Sequence, residues 1–427
     1  MQQHMEQDGC DPIQINSDKS LGCIMWADDV LLMSKSEEGL KNMLKILKSY
    51  TEENGLTLNI EKTKVMIFNR NGRHMRRNFN FGKNKIETTK QYKYLGFLIT
   101  PSGEITTGLK DLKDRAQKAF FSMKFKLGPA FKKKSLITIQ LFNALVKPNL
   151  FYASDFWGIL NLPQNNPIEN LHISFCKQLL GVQKQTTTIG ILLELGQISL
   201  SIDAKKMAIK NWGRISNRVN CNNMVILSYE NALSLNLTWP KKIKDSLSEI
   251  GMLENFLSKT VNIYFKAFQR MKDIFHQNSF SQITDERSKL RTYGLVKSKI
   301  GFEEYLNEIH NINDRVAFTK FRLSNHHLRI EVGRHNKIPK HLRFCPFCPT
   351  LIEDEIHFLL ECKMFQRQRD DFINIISDEV ENFFNFNTNE RFCILMSDHT
   401  ISVHTAKYIS RMLEVRSYLL KNHKNNI

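Results

Sequence analysis

The stretch Leu21-Gly22-Cys23-Ile24-Met25-Trp26-Ala27-Asp28-Asp29-Val30-Leu31-Leu32-Met33 sets two adjacent aspartates between two short apolar runs. The pattern predicts a hairpin with carboxylates at its tip. Like charges held a few ångströms apart raise each other's pKa unless a cation is near. Asp28 and Asp29 offer hard oxygen ligands to Mg²⁺, which takes a few carboxylates and completes its octahedron with water and phosphate oxygens. Two-metal phosphoryl transfer uses a site of this kind. Taken alone, an Asp-Asp pair is more often a solvated hairpin turn.

Downstream, Ser36 is placed to cap a helix in which Leu40, Met43, Leu44 and Leu47 recur at helical spacing, with Gly55 where a C-terminal cap belongs. Leu56 to Ile60 and Val65 to Phe68 alternate, predicting strands on either side of Glu61-Lys62-Thr63-Lys64. Arg70 to Arg77 reads as a basic loop. Tyr92 to Ile99 is a further β-like run whose one glycine, Gly96, marks a bulge or a close backbone approach. Strand signals then nearly vanish. Leu112, Ala116, Ala119, Phe120 and Met123 follow helical spacing, and 137–158, 168–180, 204–219 and 240–310 continue it. The polar stretch Asn220-Cys221-Asn222-Asn223 is a soft boundary. The expected fold class is therefore mostly α with a small α+β part.

Among 427 residues, 61 Lys plus Arg stand against 43 Asp plus Glu, a net charge of +18 that makes polyanions the expected partners. The length suggests about three structural units. The first twenty residues lack the basic start and apolar run of a secretory signal, and no stretch approaches the ~18 apolar residues of a membrane helix. An intracellular protein of the nucleus or cytoplasm, with no membrane partner and reduced thiols, is expected. Lys132-Lys133-Lys134 and the Arg70–Arg77 loop could track phosphates, with Phe131 or Phe79 stacking on bases, although charge runs are often only solvated faces.

Three of the eight cysteines cluster, in Cys345-Pro346-Phe347-Cys348, His357 and Cys362, a C-x₂-C-x₈-H-x₄-C spacing. Three thiolates and an imidazole make a closed tetrahedral set suited to Zn²⁺. The competing reading has Cys348 and Cys362 as core thiols and His357 as a satisfied polar group. Glu353-Asp354-Glu355 reads as structural, through the dipole of the helix that follows. His326 and His327 are left to packing or phosphate contacts, since four better-spaced ligands exist.

The succession Trp26-Ala27-Asp28-Asp29, a capped helix, Gly55-Leu56-Thr57-Leu58-Asn59-Ile60-Glu61-Lys62-Thr63-Lys64 and Tyr92-Lys93-Tyr94-Leu95-Gly96 resembles the back half of the reverse transcriptase palm of LINE-type non-LTR retrotransposons. The resemblance implies that Asp28 is a catalytic Mg²⁺ ligand, that Asp29 is its partner, and that Lys62 lies near the incoming nucleotide's phosphates. Tyr94, Leu95 and Gly96 would lie against the primer. Trp26 stands where the family has Phe or Tyr, a change expected in packing more than in chemistry. Phe321 to Arg334 with the following cysteines similarly resembles the C-terminal zinc segment of the same polyproteins, and Leu145 to Gly158 their thumb.

The implied organisation is a partial palm over 1–105, a helical thumb over 106–220, a helical linker region over 221–320 and a zinc (CCHC) domain over 321–427. RNA template and DNA primer or target are the implied partners. The family's D-x-x-x-A-F-D and G-x-x-Q-G patterns do not occur, and no apolar strand before Leu21 offers a third aspartate. The expected function is that of a C-terminal fragment of an RNA-directed DNA polymerase, inactive as this isolated chain. The alternative is a non-catalytic nucleic-acid-binding remnant of a mobile element.

Overall fold

The computed structural model describes residues 5, 9–217, 223–260, 262–285 and 288–425. The Asn220–Asn223 boundary falls largely outside the described residues. The architecture is mostly helical, with the strands confined to residues 13–99. Two compact units divide the chain. One comprises residues 1–115, 149–167 and 203–269, the other 116–148, 168–202 and 270–427. These units interleave along the chain.

In the first unit, short strands β1 (Ile13–Gln14) and β2 (Ser20–Leu21) pair antiparallel, as do β3 (Cys23–Trp26) and β4 (Asp29–Leu32). The short strand that precedes Leu21, β1, carries no carboxylate. Helix α1 (Glu37–Glu53) starts at Ser36, whose side chain accepts from the Gly39 amide at 3.1 Å, as expected of an N-cap. Glu37 and Glu38 occupy its first turn, favourable to the helix dipole. Its buried face packs Met43 and Leu47 with Cys10 and Cys23, and Leu44 with Val65, Phe79 and Ile86. Gly39 is required here: a Cβ would lie 2.3 Å from the Cys10 carbonyl oxygen.

Beyond α1, β5 (Lys64–Val65) runs parallel to β7 (Asn84–Thr88), which pairs antiparallel with β6 (Phe79–Phe81). Leu56 to Ile60 forms no strand, and the strand after Thr63 stops at Val65. Alternation is not sufficient where no neighbouring backbone stands by to take the hydrogen bonds. Asn59 instead folds a turn, its side chain accepting from the Lys62 amide at 3.1 Å and its carbonyl from the Thr63 hydroxyl at 2.8 Å. Tyr92 to Ile99 is two strands, β8 (Tyr92–Tyr94) and β9 (Phe97–Ile99), joined by a two-residue turn. Helix α2 (Thr106–Leu127) follows, and the division between the units falls within it.

The second unit is built from helices. Phe120, Phe131, Phe142 and Phe175 form an aromatic core, with Phe142 and Phe175 stacked at 4.0 Å. The expected helix over 137–158 is interrupted, by a π-turn at Phe142–Val146 and by Ala153 in a left-handed conformation (φ 56°). At the centre of this unit Arg322 and Glu194, both fully buried, pair at 2.7 Å. Tyr305 donates to Glu194 at 2.6 Å, Tyr293 donates to it at 2.8 Å, and Arg322 reaches Glu303 at 2.8 Å. Burial pushes the Glu194 carboxyl up, but the Arg322 charge outweighs it and holds the group below the usual carboxylate range.

Removing one member of a buried pair leaves the other uncompensated. Glu194→Gln is therefore expected to destabilise the protein by about 3 kcal/mol. Glu194→Gln combined with Arg322→Met should recover part of that loss. Urea unfolding curves of the two variants check the order.

Candidate functional site

Three sequence segments singled out for chemistry lie in the first unit. The β3–β4 hairpin is anchored by Cys23 and Leu32 in the core below α1 and projects its tip. Trp26 pairs with Asp29 in register, leaving Ala27 and Asp28 as the turn. Ala27 adopts φ 49°, a conformation that L-residues take only under constraint. Both aspartates are exposed. Trp26 is 67% exposed, so its size is not felt in the packing expected of it.

The second segment is the Asn59–Lys64 turn carrying Lys62, whose main-chain carbonyl accepts from the Tyr92 hydroxyl at 3.4 Å. The third is the β8–β9 hairpin. Its turn residues Leu95 and Gly96 both have positive φ (44° and 83°), the conformation of a tight two-residue hairpin turn. Burial raises the pKa of the Tyr94 phenol, and the charges of Asp29 and Cys23 raise it further. Two exposed carboxylates with hard oxygens suit a divalent cation. Among the described residues no third carboxylate, His or Cys joins them in a ligand cluster.

Gly96 fulfils the close-approach alternative of the sequence reading. A Cβ there would lie 3.1 Å from the Tyr152 ring, and the Gly96 carbonyl accepts from Arg115 Nη2 at 2.8 Å. Tyr152 also donates to the Leu95 carbonyl. Sequence reasoning missed both residues. Tyr152 sat in a stretch assigned to packing, and Arg115 carries no signal beyond being one cation on an amphipathic helix.

Lys132, Lys133 and Lys134 lie in the second unit, apart from these segments. Lys133 and Lys134 are exposed; burial lowers the pKa of Lys132, with Lys124, Arg315 and Lys320 adding to it. Phe131 and Phe79 are 2% exposed and cannot stack on bases, which corrects the sequence expectation. Each fills a core instead.

The second unit also assembles Cys345, Cys348, His357 and Cys362, whose ligand atoms all lie within 4.8 Å of one another. Cys362 Sγ is 3.9 Å from Cys345 Sγ and 3.8 Å from Cys348 Sγ. Tetrahedral ligation at Zn–S distances of about 2.3 Å calls for sulfurs about 3.8 Å apart. His357 stands in a π-turn (His357–Glu361), a device frequent at functional sites. Both of its ring nitrogens are buried without a well-formed hydrogen bond, while Nδ1 lies 3.6 Å from a Glu361 carboxylate oxygen and the Cys345 sulfur interacts with the ring. The donor chemistry and the buried imidazole fit a soft divalent ion. Hydrogen bonding from Cys362 and then from His357 draws the Cys345 thiol down to about 4, while the Cys362 thiol is pushed up.

Around this cluster, buried ion pairs fix the scaffold. Glu353 receives both arms of Arg416 at 2.6 Å and the Arg329 amide at 2.7 Å. Glu355 accepts from Arg291 at 2.5 Å and Ser324 at 3.0 Å, and shares a hydrogen bond with His326 at 3.0 Å. Glu353 and Glu355 are thus structural through buried pairing, while Asp354 accepts from the His357 amide at 2.9 Å at the start of the helical turn, as the sequence reading expected. His326 belongs to packing, while His327 is exposed.

Residues 4–99 match the reverse transcriptase (RNA-dependent DNA polymerase) family. That stretch contains Asp28, Asp29, Lys62 and the whole β8–β9 hairpin. An uncharacterised transposon-derived protein of Caenorhabditis elegans is 27% identical over 168 residues, 38% of this chain and 58% of that protein. The match thus spans a little over half the length of that relative. The chain is thus similar to reverse transcriptases over residues 4–99 and to a transposon-derived protein over part of its length. Among the described residues no helix is long and apolar enough to cross a membrane.

Proposed function

We propose that this chain carries the back half of a LINE-type reverse transcriptase palm, followed by a helical thumb (106–220), a helical linker region (221–320) and a zinc-binding segment (321–427). Its proposed role is to hold RNA template and DNA primer or target. The observation that supports the reading is that Asp28 and Asp29 stand exposed at a hairpin tip and that they, Lys62 and the Tyr94–Gly96 hairpin all fall inside the stretch that matches the family.

In this reading Asp28 and Asp29 would hold Mg²⁺, which when bound supplies activation of the primer hydroxyl and neutralisation of the leaving pyrophosphate. Lys62 neutralises nucleotide phosphates, and Tyr94 to Gly96 orients the primer end. Cys345, Cys348, His357 and Cys362 would hold Zn²⁺ as a structural ion.

The chain of this sequence is expected to lack polymerase activity, since two carboxylates without a third bind a metal pair weakly. A primer-extension assay with Mg²⁺ or Mn²⁺ checks this. Template-dependent incorporation that disappears in Asp28→Ala and Asp29→Ala would overturn it.

One zinc ion per chain is expected from elemental analysis of reduced protein purified without chelator. The binding energy of a structural zinc is also folding energy. Cys348→Ser should lower the zinc content and expose Phe358 and Leu359, now 1% and 0% exposed, to solvent-sensitive probes. Full folding of the segment in metal-free, chelator-treated protein would sink the assignment.

Nucleic-acid binding should be mainly electrostatic. For Z phosphates neutralised on a single strand, log affinity is expected to fall against log salt with a slope of about −0.7Z. Anisotropy titrations at several salt concentrations measure it, and a flat response would contradict the assignment.

A further inference from the structure

The turn at Leu95–Gly96 is held more firmly than a surface hairpin requires. Leu95 has positive φ (44°), a conformation in which leucine is strained and asparagine or glycine is usual. It is 38% exposed and so gains little from burial. Such a residue persists where its surroundings over-determine it. Two side chains from elsewhere in the first unit do so here. Tyr152 donates its hydroxyl proton to the Leu95 carbonyl, and Arg115 on α2 donates to the Gly96 carbonyl at 2.8 Å.

These two residues are themselves fixed. Arg115 Cζ lies 5.8 Å from the centre of the Tyr152 ring, and Arg115 pairs with Asp111 at 2.9 Å. Asp111 in turn receives Lys93, on β8, at 3.0 Å. The Tyr152 carbonyl accepts from the indole of Trp157, a fully buried residue, at 2.8 Å. Phe156 meets Phe97 of β9 edge-on at 6.4 Å. Both carbonyls of the turn are therefore occupied from one side, while the Leu95 side chain remains accessible. We infer that Tyr152 and Arg115 are positioning residues that lock the Leu95–Gly96 turn so that it presents a fixed surface to the terminal nucleotide of a primer. The inference rests on the proposed assignment of Tyr94–Gly96 to the primer.

The test uses the full chain and a DNA primer on an RNA template, with 4-thiothymidine as the 3′-terminal primer nucleotide. After irradiation, crosslinked peptides are mapped by mass spectrometry and counted per bound complex. The wild-type chain is expected to crosslink within residues 92–97. Tyr152→Phe, which removes one oxygen, and Arg115→Met should each reduce that crosslink about tenfold, the order of one lost hydrogen bond. Arg115→Lys, which keeps a donor, should retain most of it. Thermal unfolding identifies a variant that fails to fold, and if Arg115→Met does so, Tyr152→Phe decides. Folded variants that crosslink like the wild type overturn the locking role. A wild-type chain that binds the primer–template but crosslinks elsewhere overturns the primer assignment itself, and the inference with it.

Discussion

A charge taken out of water has to be met by its opposite, and the second unit is organised around that constraint. Arg322 and Glu194 lie at its centre, with Tyr293 and Tyr305 donating to the carboxylate and Glu303 taking a second guanidinium arm. Every polar atom added to the network removes one way of packing the helices around it. Nearer the cysteine cluster the same solution recurs, Glu353 with Arg416 and Glu355 with Arg291 and His326. Burial pushes the Glu355 carboxyl up, yet the His326 hydrogen bond and the Arg291 charge hold it down to about 2. Those pairs tie residues 291, 324–329 and 416 to the short run that precedes His357, so the imidazole's position is inherited from the ion pairs as much as from its own turn.

Legibility in the sequence followed the range of the interaction. The hairpin at Asp28–Asp29, the Ser36 cap and the apolar face of α1 depend on residues a few positions apart, and periodicity and capping chemistry expose them. The cysteine cluster was legible from the C-x₂-C-x₈-H-x₄-C spacing, whose four side chains the fold brings together. Leu56 to Ile60 misled because a strand needs a partner that lies elsewhere in the chain, and alternation alone does not reveal whether one arrives. The stacking role imagined for Phe131 failed for a related reason. Its neighbours in sequence are lysines, while its neighbours in space are Phe120 and Phe175.

Tyr152 and Glu194 show the same gap more sharply. The Tyr152 hydroxyl serves a carbonyl 57 residues away, and Glu194 meets Arg322 across 128 residues. Neither contact leaves a periodic trace. A glutamate in the apolar run Ile191-Leu192-Leu193-Glu194-Leu195 was nevertheless a signal that could have been read, since a carboxylate embedded there has no water to turn to and must find a cation.

The two candidate metal centres differ in how tightly an ion would be coupled to folding. Asp28 and Asp29 stand at an exposed tip where water screens their repulsion, and the hairpin beneath them is secured by Cys23 and Leu32 in a core that owes nothing to a cation. An ion there would act on chemistry and leave the fold as it is. At the cysteine cluster the imidazole nitrogens are buried without a well-formed hydrogen bond, and the sulfurs have chiefly one another as partners. An ion there would supply what the surrounding backbone cannot. The same chain thus places one set of candidate ligands at an exposed tip, where water screens them, and the other in a buried cluster, where it does not.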